Sequence, residues 1–242
     1  MSEKNRIAAA IAACLVGGLL STQASAAGFA LIENSASGMG NAYAGGAAIA
    51  DDASTVWFNP AGMMRLKGDQ MSAALHVISP SAQFKDGGSS TVGNEDDGGV
   101  TAVVPNFYYV TELSETSRFG VGVTVPFGLS TEYDEGWVGR YHATTSEVQS
   151  ININPSFAFK FNDSLSLGLG LSIQYLEATL ENHIDSALTC MGLQAAGQAI
   201  DCTGLNIGDV NQDSRQSLNA DGWNWGWNIG VLYDIDAQSR LG

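Results

Sequence analysis

The chain has 242 residues, of which 45% are apolar, 14% are charged and 29 are glycine, and its formal net charge is −15. An acidic balance of this size argues against a nucleic-acid partner, because phosphate backbones attract basic surfaces. Beyond the first 26 residues no stretch approaches the ~20 apolar residues of a spanning helix, which excludes a helical membrane protein.

The first residues predict export. Two basic residues, Lys4 and Arg6, precede an uninterrupted run of apolar residues and glycine at 7–20, and Ala24-Ser25-Ala26 then offers a small-residue cleavage site. This order is typical of a secretory signal peptide. We therefore predict that residues 1–26 are removed near Ala26, and that the mature chain starts at Ala27.

Residues 27–66 differ from the rest of the mature chain. They are rich in glycine, alanine and turn residues, they contain no period-two run, and Asn59-Pro60 marks a turn. Small residues allow a backbone to approach a neighbouring surface closely, so this segment is suited to packing inside a larger structure. We predict that Asn59, Pro60 and Ala61 fix a turn within it.

Residues 67–242 show a hydrophobic period of two, which predicts β-strands. Strong segments lie at 119–129, 151–161, 165–175 and 223–233, and weaker ones fit around 70–84 and 100–112. Strands of about this length cross the hydrocarbon layer when tilted. The second face of each is small, polar and nearly uncharged, whereas the solvent face of a soluble sandwich normally carries more Lys and Glu.

The connections between these segments alternate in length. Links at 85–99, 130–145 and 182–221 are long, and links at 113–117, 162–164 and 236–239 are short. Outer-membrane barrels join short periplasmic turns with long external loops in this way. We therefore predict an all-β fold, a transmembrane antiparallel β-barrel, located in the outer membrane of a Gram-negative cell and surrounded by its lipid and lipopolysaccharide.

Roughly six strands fall short of the ~8 in the smallest single-chain barrels, and an open edge in lipid leaves backbone groups unpaired. We interpret the chain as an N-terminal fragment, with residues 67–242 forming the first part of the barrel. The lumen of a barrel with more than ~12 strands is too wide for its own side chains to fill. Residues 27–66 are then predicted to form a hatch inside it.

Two local features leave alternatives open. Cys190 and Cys202 form an even pair in an oxidising compartment, which favours a disulfide over a zinc site, since no His lies close by in sequence. The acidic run at 94–97 is read as a solvated loop, with a site for calcium or a lipopolysaccharide-bound ion as the alternative. We predict no cofactor and no metal.

Several motifs, taken in order, resemble the FadL-type long-chain fatty acid transporters of Gram-negative outer membranes, a family that includes aromatic hydrocarbon channels. Each is weak alone, but their order and spacing are specific and cover nearly all of the mature chain. The motifs that carry the resemblance are Ala27-Gly28-Phe29, Ser37-Gly38-Met39-Gly40, Asn41-Ala42-Tyr43, residues 48–53, Asn59-Pro60-Ala61, residues 125–129, Trp137-Val138-Gly139-Arg140, residues 153–156 and residues 167–170.

The resemblance implies a monomeric barrel of about 14 strands with an N-terminal hatch. It also implies passive uptake of a hydrophobic compound, most simply a long-chain fatty acid, by capture at external loops, passage to a pocket beside the hatch and lateral exit through the wall. A kink in the third strand, here 118–129, would open that exit. Glycine and proline weaken a strand, and the residues that would permit the kink are Gly120, Gly122, Pro126 and Gly128.

The implied substrate-binding residues fall into two groups. Phe29 would lie against the substrate in the deep pocket beside Asn59, although each also has a purely structural reading, as a hatch anchor and a turn residue. Apolar residues of the long link 182–221 would form the external groove, in part on a short helix at 187–200, or would simply pack against one another: Leu188, Met191, Leu193, Ile200 and Leu205.

Other functional classes are weaker. A lipase needs a serine–histidine arrangement, and no Gly-x-Ser-x-Gly elbow accompanies His76, His142 or His183, so we predict that the chain is not an enzyme. A general porin is disfavoured by the hatch and by the apolar external loop. An aromatic hydrocarbon channel remains the main alternative, because the basic residue that the resemblance implies on the fifth strand, to meet a carboxylate, has no clear match. His183 and Arg140 are the candidate substitutes.

Overall fold

A computed structural model of the chain describes residues 30–89, 91–236 and 238–242. The predicted signal peptide at 1–26 and the candidate substrate contact Phe29 lie outside the described residues. Four short helical segments precede the strands: α1 (Ala36–Met39), α2 (Gly46–Ile49), α3 (Thr55–Phe58) and a 3₁₀ helix (Pro60–Arg65). They fall within the segment predicted as the hatch.

The remainder is built mainly from strands, which run antiparallel to their neighbours. The main sheet has the order β1-β4-β5-β7-β8-β9-β10, with β6 paired to β7, while β2 and β3 form a separate pair. A fifth helical segment, α4 (Ser186–Ala195), joins β8 to β9. The strands are β1 (Gln70–Ile78), β2 (Gln83–Phe84), β3 (Asp96–Asp97), β4 (Ala102–Ser114), β5 (Ser117–Thr124), β6 (Gly128–Glu132), β7 (Thr145–Lys160), β8 (Leu165–Ile184), β9 (Ser214–Asp234) and β10 (Arg240–Leu241).

The two faces of this sheet have opposite character. Along β7 the apolar residues Ile151, Ile153 and Phe157 are exposed, while the alternate residues Asn152, Asn154 and Ser156 are buried. The polar face is buried because the hatch segment packs on it, and the apolar face has no protein against it among the described residues. This reverses the pattern of a soluble sheet, whose apolar face lies inward.

The predicted strands are present, but their bounds differ. β1 ends at Ile78 instead of 84, shortly before Pro80, and Gln83–Phe84 pairs with β3 in the following link. β8 and β9 reach Ile184 and Ser214, well into the predicted loop 182–221. The predicted strand 119–129 is two strands, because β5 stops at Thr124 and β6 starts at Gly128.

The connections sort by length between the two ends of the sheet. Tight links at 115–116, 161–164 and 235–239 lie at one end, and long links at 79–101, 133–144 and 185–213 lie at the other. The hatch enters β1 at the end with the short links. No helix in the described part of the chain has both the length and the apolar character needed to cross a membrane.

Candidate functional site

The hatch segment packs closely against several glycines on the buried face of the sheet. A Cβ at Gly168 of β8 would lie 2.3 Å from the Ala61 nitrogen, and one at Gly230 of β9 would lie 2.8 Å from Pro60 Cδ. On β5 a Cβ at Gly120 would lie 2.5 Å from Met63 Sδ. Glycine at these positions of the wall therefore allows the backbone of the hatch segment to approach it closely.

Asn59 fastens the predicted turn to the wall. Its Oδ1 accepts a hydrogen bond from the Ala61 amide at 3.1 Å, which caps the 3₁₀ helix. Its Nδ2 donates to the carbonyl oxygen of Ala47 at 2.7 Å and to that of Val231, on β9, at 2.9 Å. Both amide protons are thus used within the protein and the side chain is buried, so its geometry matches the turn role that the sequence left open.

Asp52, in the sequence motif before this turn, has a comparable local role. Its carboxylate accepts from the Ser37 hydroxyl at 2.6 Å and from the Ser54 amide at 2.8 Å. Burial by itself would raise the pKa of Asp52, but these hydrogen bonds outweigh burial and hold the pKa below its ordinary value. The charged carboxylate therefore ties α1 to the start of α3.

An interruption in the wall lies between β5 and β6. Thr124 pairs with Asn152 and Gly128 with Gln149, so three residues around Pro126 oppose only two residues of β7. Residues 102–106 of β4 do not pair with β5, and β6 pairs with β7 alone. The sheet is consequently split beside Pro126, which cannot donate to the ladder.

A cavity of about 440 Å³ occupies this split. It lies between β4 and β6, and Leu31 of the hatch segment borders it. The Leu31 amide donates to the Pro126 carbonyl oxygen at 2.9 Å, and a Cβ at Gly128 would lie 3.1 Å from Leu31 Cδ1. The walls are largely apolar and include Ile78, Val103, Val104, Val125, Leu129 and Ile151.

The four residues chosen for the strand kink divide into two pairs. Pro126 and Gly128 flank the split and contact or approach Leu31. Gly120 and Gly122 lie inside β5, which pairs on both sides there, and they face the hatch. The split therefore starts further along the chain than the glycines indicated, because those glycines serve the approach of the hatch.

The external groove candidates gather around α4. Asp185 caps this helix, since its Oδ1 accepts from the Leu188 amide at 2.9 Å. The helix ends at Ala195 rather than at the predicted residue 200. Cys190 and Cys202 form a disulfide with their Cα atoms 5.9 Å apart. The apolar side chains chosen from sequence are all exposed on this helix and the following loop, namely Leu188, Met191, Leu193, Ile200 and Leu205.

Arg140, which the sequence offered as a candidate base, lies in a buried charged cluster that the sequence did not predict and that joins the long links. Arg140 is 1% exposed and donates through Nε to Asp213 Oδ2 at 2.9 Å. Its other donors reach the carbonyl oxygens of Val92, Trp137 and Gly208 and the hydroxyl of Tyr141. All five guanidinium donors are occupied, so this arginine holds three links together and has none left for a ligand.

Tyr141 and the acidic groups complete this cluster. The Tyr141 hydroxyl donates to Asp213 Oδ1 at 3.1 Å, and burial followed by this contact raises the pKa of Tyr141 to about 12. Asp185 Oδ2 accepts from the Gly208 amide at 2.9 Å. The sequence signal was Arg140 itself, a lone base in an apolar motif, since its carboxylate partner Asp213 lies 73 residues further along the chain.

The acidic run at 94–97 belongs to the loop framework. Asp97 accepts from the Ser81 hydroxyl at 2.8 Å and from the Ala82 amide at 2.7 Å, and the Asn94 amide donates to the Gly136 carbonyl. These bonds favour the loop reading. Within residues 30–89, 91–236 and 238–242 no group of three or more His, Cys, Asp or Glu side chains is arranged to hold a metal ion.

Comparison with known proteins supplies the family. The sequence pattern of the family described as outer membrane protein transport protein (OMPP1/FadL/TodX) matches residues 17–242. The chain is 34% identical over 245 residues to the long-chain fatty acid transport protein of Escherichia coli O6:H1, covering 100% of this chain and 54% of that protein. The chain spans about half the length of the curated relatives it matches.

Solved structures support the fold. The crystal structure of a FadL homologue from Pseudomonas aeruginosa matches with a TM-score of 0.64 at 23% identity, over 86% of this chain and 50% of that one. The Ralstonia pickettii toluene transporter TbuX matches with a TM-score of 0.55 at 17% identity, over 80% and 52%. At these identities the likeness concerns the fold alone, which is that of part of an antiparallel outer-membrane barrel.

Proposed function

The chain belongs to the outer membrane protein transport protein family (OMPP1/FadL/TodX), and on that premise we propose that it takes up hydrophobic compounds, foremost long-chain fatty acids, across the outer membrane. The family consists of Gram-negative outer-membrane transport proteins rather than enzymes. We propose a passive route from external loops to a pocket beside the hatch, and then sideways through the wall. The protein acts as a single barrel among outer-membrane lipid and lipopolysaccharide.

The observation that carries this proposal is the split in the sheet beside Pro126. An apolar cavity of about 440 Å³ there has the size of a small-molecule site. It lies in the wall itself, whose outer face is apolar, so a substrate leaving through it passes into lipid without crossing water. A porin that conducts polar solutes gains nothing from an apolar split in its wall.

The capture step is assigned to α4 and the loop after it. Leu188 and Met191 lie three residues apart on the helix and are 53% and 50% exposed. Apolar groups that stay in water at the far end from the hatch offer a first contact for an apolar chain, and a flexible Met adapts to varied shapes. The disulfide and the Asp185 cap hold this helix in place.

The hatch governs the middle of the route. In our proposal residues 27–66 block the lumen, and Asn59 keeps the hatch turn ordered beside the deep pocket, where Phe29 contacts the substrate. The three hydrogen bonds of the Asn59 side chain support an ordering role. Substrate binding shifts the segment around Leu31, whose amide now bonds to Pro126, and so frees the split.

An aromatic hydrocarbon is the second candidate substrate. The observation that favours it concerns Arg140, a buried base in the long link 133–144. All of its hydrogen-bond donors are used within the protein, so it offers none to a carboxylate. A hydrocarbon needs no cation. TbuX, whose fold this chain shares, is described as a toluene transporter, and we therefore retain this substrate class as the alternative.

Uptake of labelled oleate and labelled toluene tests the proposal. The complete gene is expressed in an outer membrane that lacks its own fatty acid transporter, and a variant with Leu188→Ser and Met191→Ser is compared with Val92→Ser, an exposed apolar residue of another external link. We expect oleate uptake above background that falls in the α4 variant and not in the control. Uptake of toluene alone would establish the hydrocarbon channel, and uptake of neither would refute the proposal.

Asn59→Ala gives a second test. Loss of its three hydrogen bonds should lower uptake while the barrel still assembles, as judged by heat-modifiable migration in gels. Normal uptake by a well-assembled Asn59→Ala protein would remove Asn59 from the mechanism.

A further inference from the structure

Three polar side chains form a row across the buried face of the sheet. Thr124 of β5 pairs with Asn152 of β7, and Asn106 and Thr124 lie directly beyond the last paired residues of β4 and β5, Phe107 and Val123. Asn106, Thr124 and Asn152 are 2%, 1% and 1% exposed. The row therefore consists of adjacent, fully buried polar groups on three neighbouring strands.

Each member of this row has a polar atom without a hydrogen-bond partner: Asn106 Oδ1, Thr124 Oγ1 and Asn152 Nδ2. A buried polar group without a partner costs free energy, so such groups are uncommon and call for a functional explanation. The next inward residue of β7 shows the ordinary case. Asn154 is 4% exposed, and it donates to the Leu171 carbonyl at 3.0 Å and accepts from the Ser156 hydroxyl at 3.1 Å.

The row lies next to the split in the wall. Val104, Val125 and Ser150 border the cavity, and they stand within two residues of Asn106, Thr124 and Asn152 respectively. Thr124 is also the last residue of β5 before the interruption. The three residues do not line the cavity themselves, so a group in the cavity reaches them once residues 31–34 of the hatch move aside, as in the proposed route.

Residues 31–34 of the hatch are bonded to the strands that carry this row. Asn106 Nδ2 donates to the Glu33 carbonyl, and the Tyr108 hydroxyl donates to the Asn34 carbonyl at 2.7 Å. Leu31 is held by the Pro126 carbonyl. Residues 31–34 are therefore fixed to the same strands that carry the row and border the cavity.

We propose that this row is the site for the carboxyl group of the transported fatty acid, bound in its uncharged form. The inference rests on the proposed function and names the groups that meet the polar end of that substrate. The Thr124 hydroxyl and the Asn152 amide donate to the carboxyl carbonyl oxygen, and Asn106 Oδ1 accepts the acid proton. The group is bound by hydrogen bonds alone, with the acyl chain in the apolar cavity.

The chemistry of the row favours the neutral acid. A buried carboxylate without a cation is strongly disfavoured, and such a group takes up a proton instead. The row offers two donors and one acceptor, which matches a carboxylic acid and mismatches a carboxylate, since a carboxylate only accepts. A hydrocarbon leaves all three polar atoms unpaired, so the same row disfavours a hydrocarbon at this position.

Binding of lauric acid and of its methyl ester to the purified complete protein tests the inference. Thr124→Val and Asn152→Leu keep the shape of each side chain and remove its hydrogen bonds, while Asn154→Leu makes the same change at a residue whose bonds lie within the wall. We expect Thr124→Val and Asn152→Leu each to weaken acid binding by about 3- to 10-fold, the effect of one lost hydrogen bond. The ester, which has no acid proton, should bind the wild-type protein less tightly than the acid.

The Asn154→Leu control distinguishes the loss of a contact to the carboxyl group from general damage to the wall. Asn154→Leu should leave the ratio of acid to ester affinity unchanged, whatever it does to stability. Unchanged acid affinity in both row variants, or equal binding of acid and ester to the wild-type protein, would overturn the inference. A failure of oleate uptake in cells refutes the proposed function instead, because the binding assay does not depend on transport.

Discussion

Replacing Gly168 with alanine should dislodge the hatch without altering the lipid-facing surface. The added Cβ would lie 2.3 Å from the Ala61 nitrogen and 2.5 Å from the Pro60 carbonyl carbon. Both are backbone atoms, so no side-chain rotation relieves the clash. Gly226→Ala on β9 is the matched control, since its Cβ would meet only Ser172 Cβ at 3.5 Å, an ordinary contact.

The size of the effect follows from the strain that the methyl group adds to the docked hatch. Forcing one extra methyl group into a packed interior costs roughly 1–3 kcal/mol. The bond from Asn59 to the Val231 carbonyl is lost on displacement in both proteins, so it does not contribute to the difference between them. The strain alone shifts the equilibrium between docked and displaced hatch by roughly 5- to 140-fold.

Two measurements report on that equilibrium. Protease cleavage within residues 30–66 should become faster in the purified protein, and single-channel recordings in planar bilayers should show larger or more frequent openings. Heat-modifiable migration should be unchanged, because the wall itself is intact. Gly168→Ala that behaves like Gly226→Ala in both assays would refute the docking argument.

Three further predictions concern the external links and the hatch. Removing the disulfide with Cys190→Ser opens a loop of about 13 residues and should destabilise that loop by about 3 kcal/mol, seen as faster external proteolysis with an unchanged barrel. Arg140→Met leaves the buried carboxylate of Asp213 unpaired and should cost about 3–5 kcal/mol in a denaturant titration, whereas Arg215→Met, at a 57% exposed side chain, should cost at most about 1 kcal/mol. Because the pKa of Asp52 is lowered in the folded protein, its contribution to hatch stability is present above the ordinary pKa of 3.8 and is lost as the pH falls through the lowered value; Asp52→Asn should abolish that pH dependence of hatch proteolysis.

The sequence predicted the wall well where one face of a strand is apolar. Residues 165–175 and 223–233 alternate clearly, and both lie inside observed strands. The rest of β8 (176–184) and the start of β9 (214–222) were not predicted as strands. Their outward residues, such as Glu177 and Asp221, are polar, so the hydrophobic period disappears there. The backbone pairing of β8 with β9 sets those bounds, and a hydropathy pattern does not contain that information.

The site was predictable only in part. Pro126 pointed to an interruption because proline lacks the amide that a ladder requires, and the split lies beside it. The glycines of β5 indicated a bend, whereas their positions follow the packing of Met63 and Val56 on the hatch. The Arg140 cluster joins residues that are distant in sequence, and no local pattern encodes such a contact.

The parts of β8 and β9 next to the long link 185–213 set the height of α4 above the apolar band of the sheet. The exposed face of β9 is apolar from Trp223 to Tyr233 and polar from Ser214 to Asp221. About eight residues at ~3.3 Å each, tilted by ~40°, lift α4 by roughly 20 Å above the apolar band. On the proposed route, capture at α4 therefore takes place well outside the hydrocarbon layer, and the substrate makes that descent within the protein.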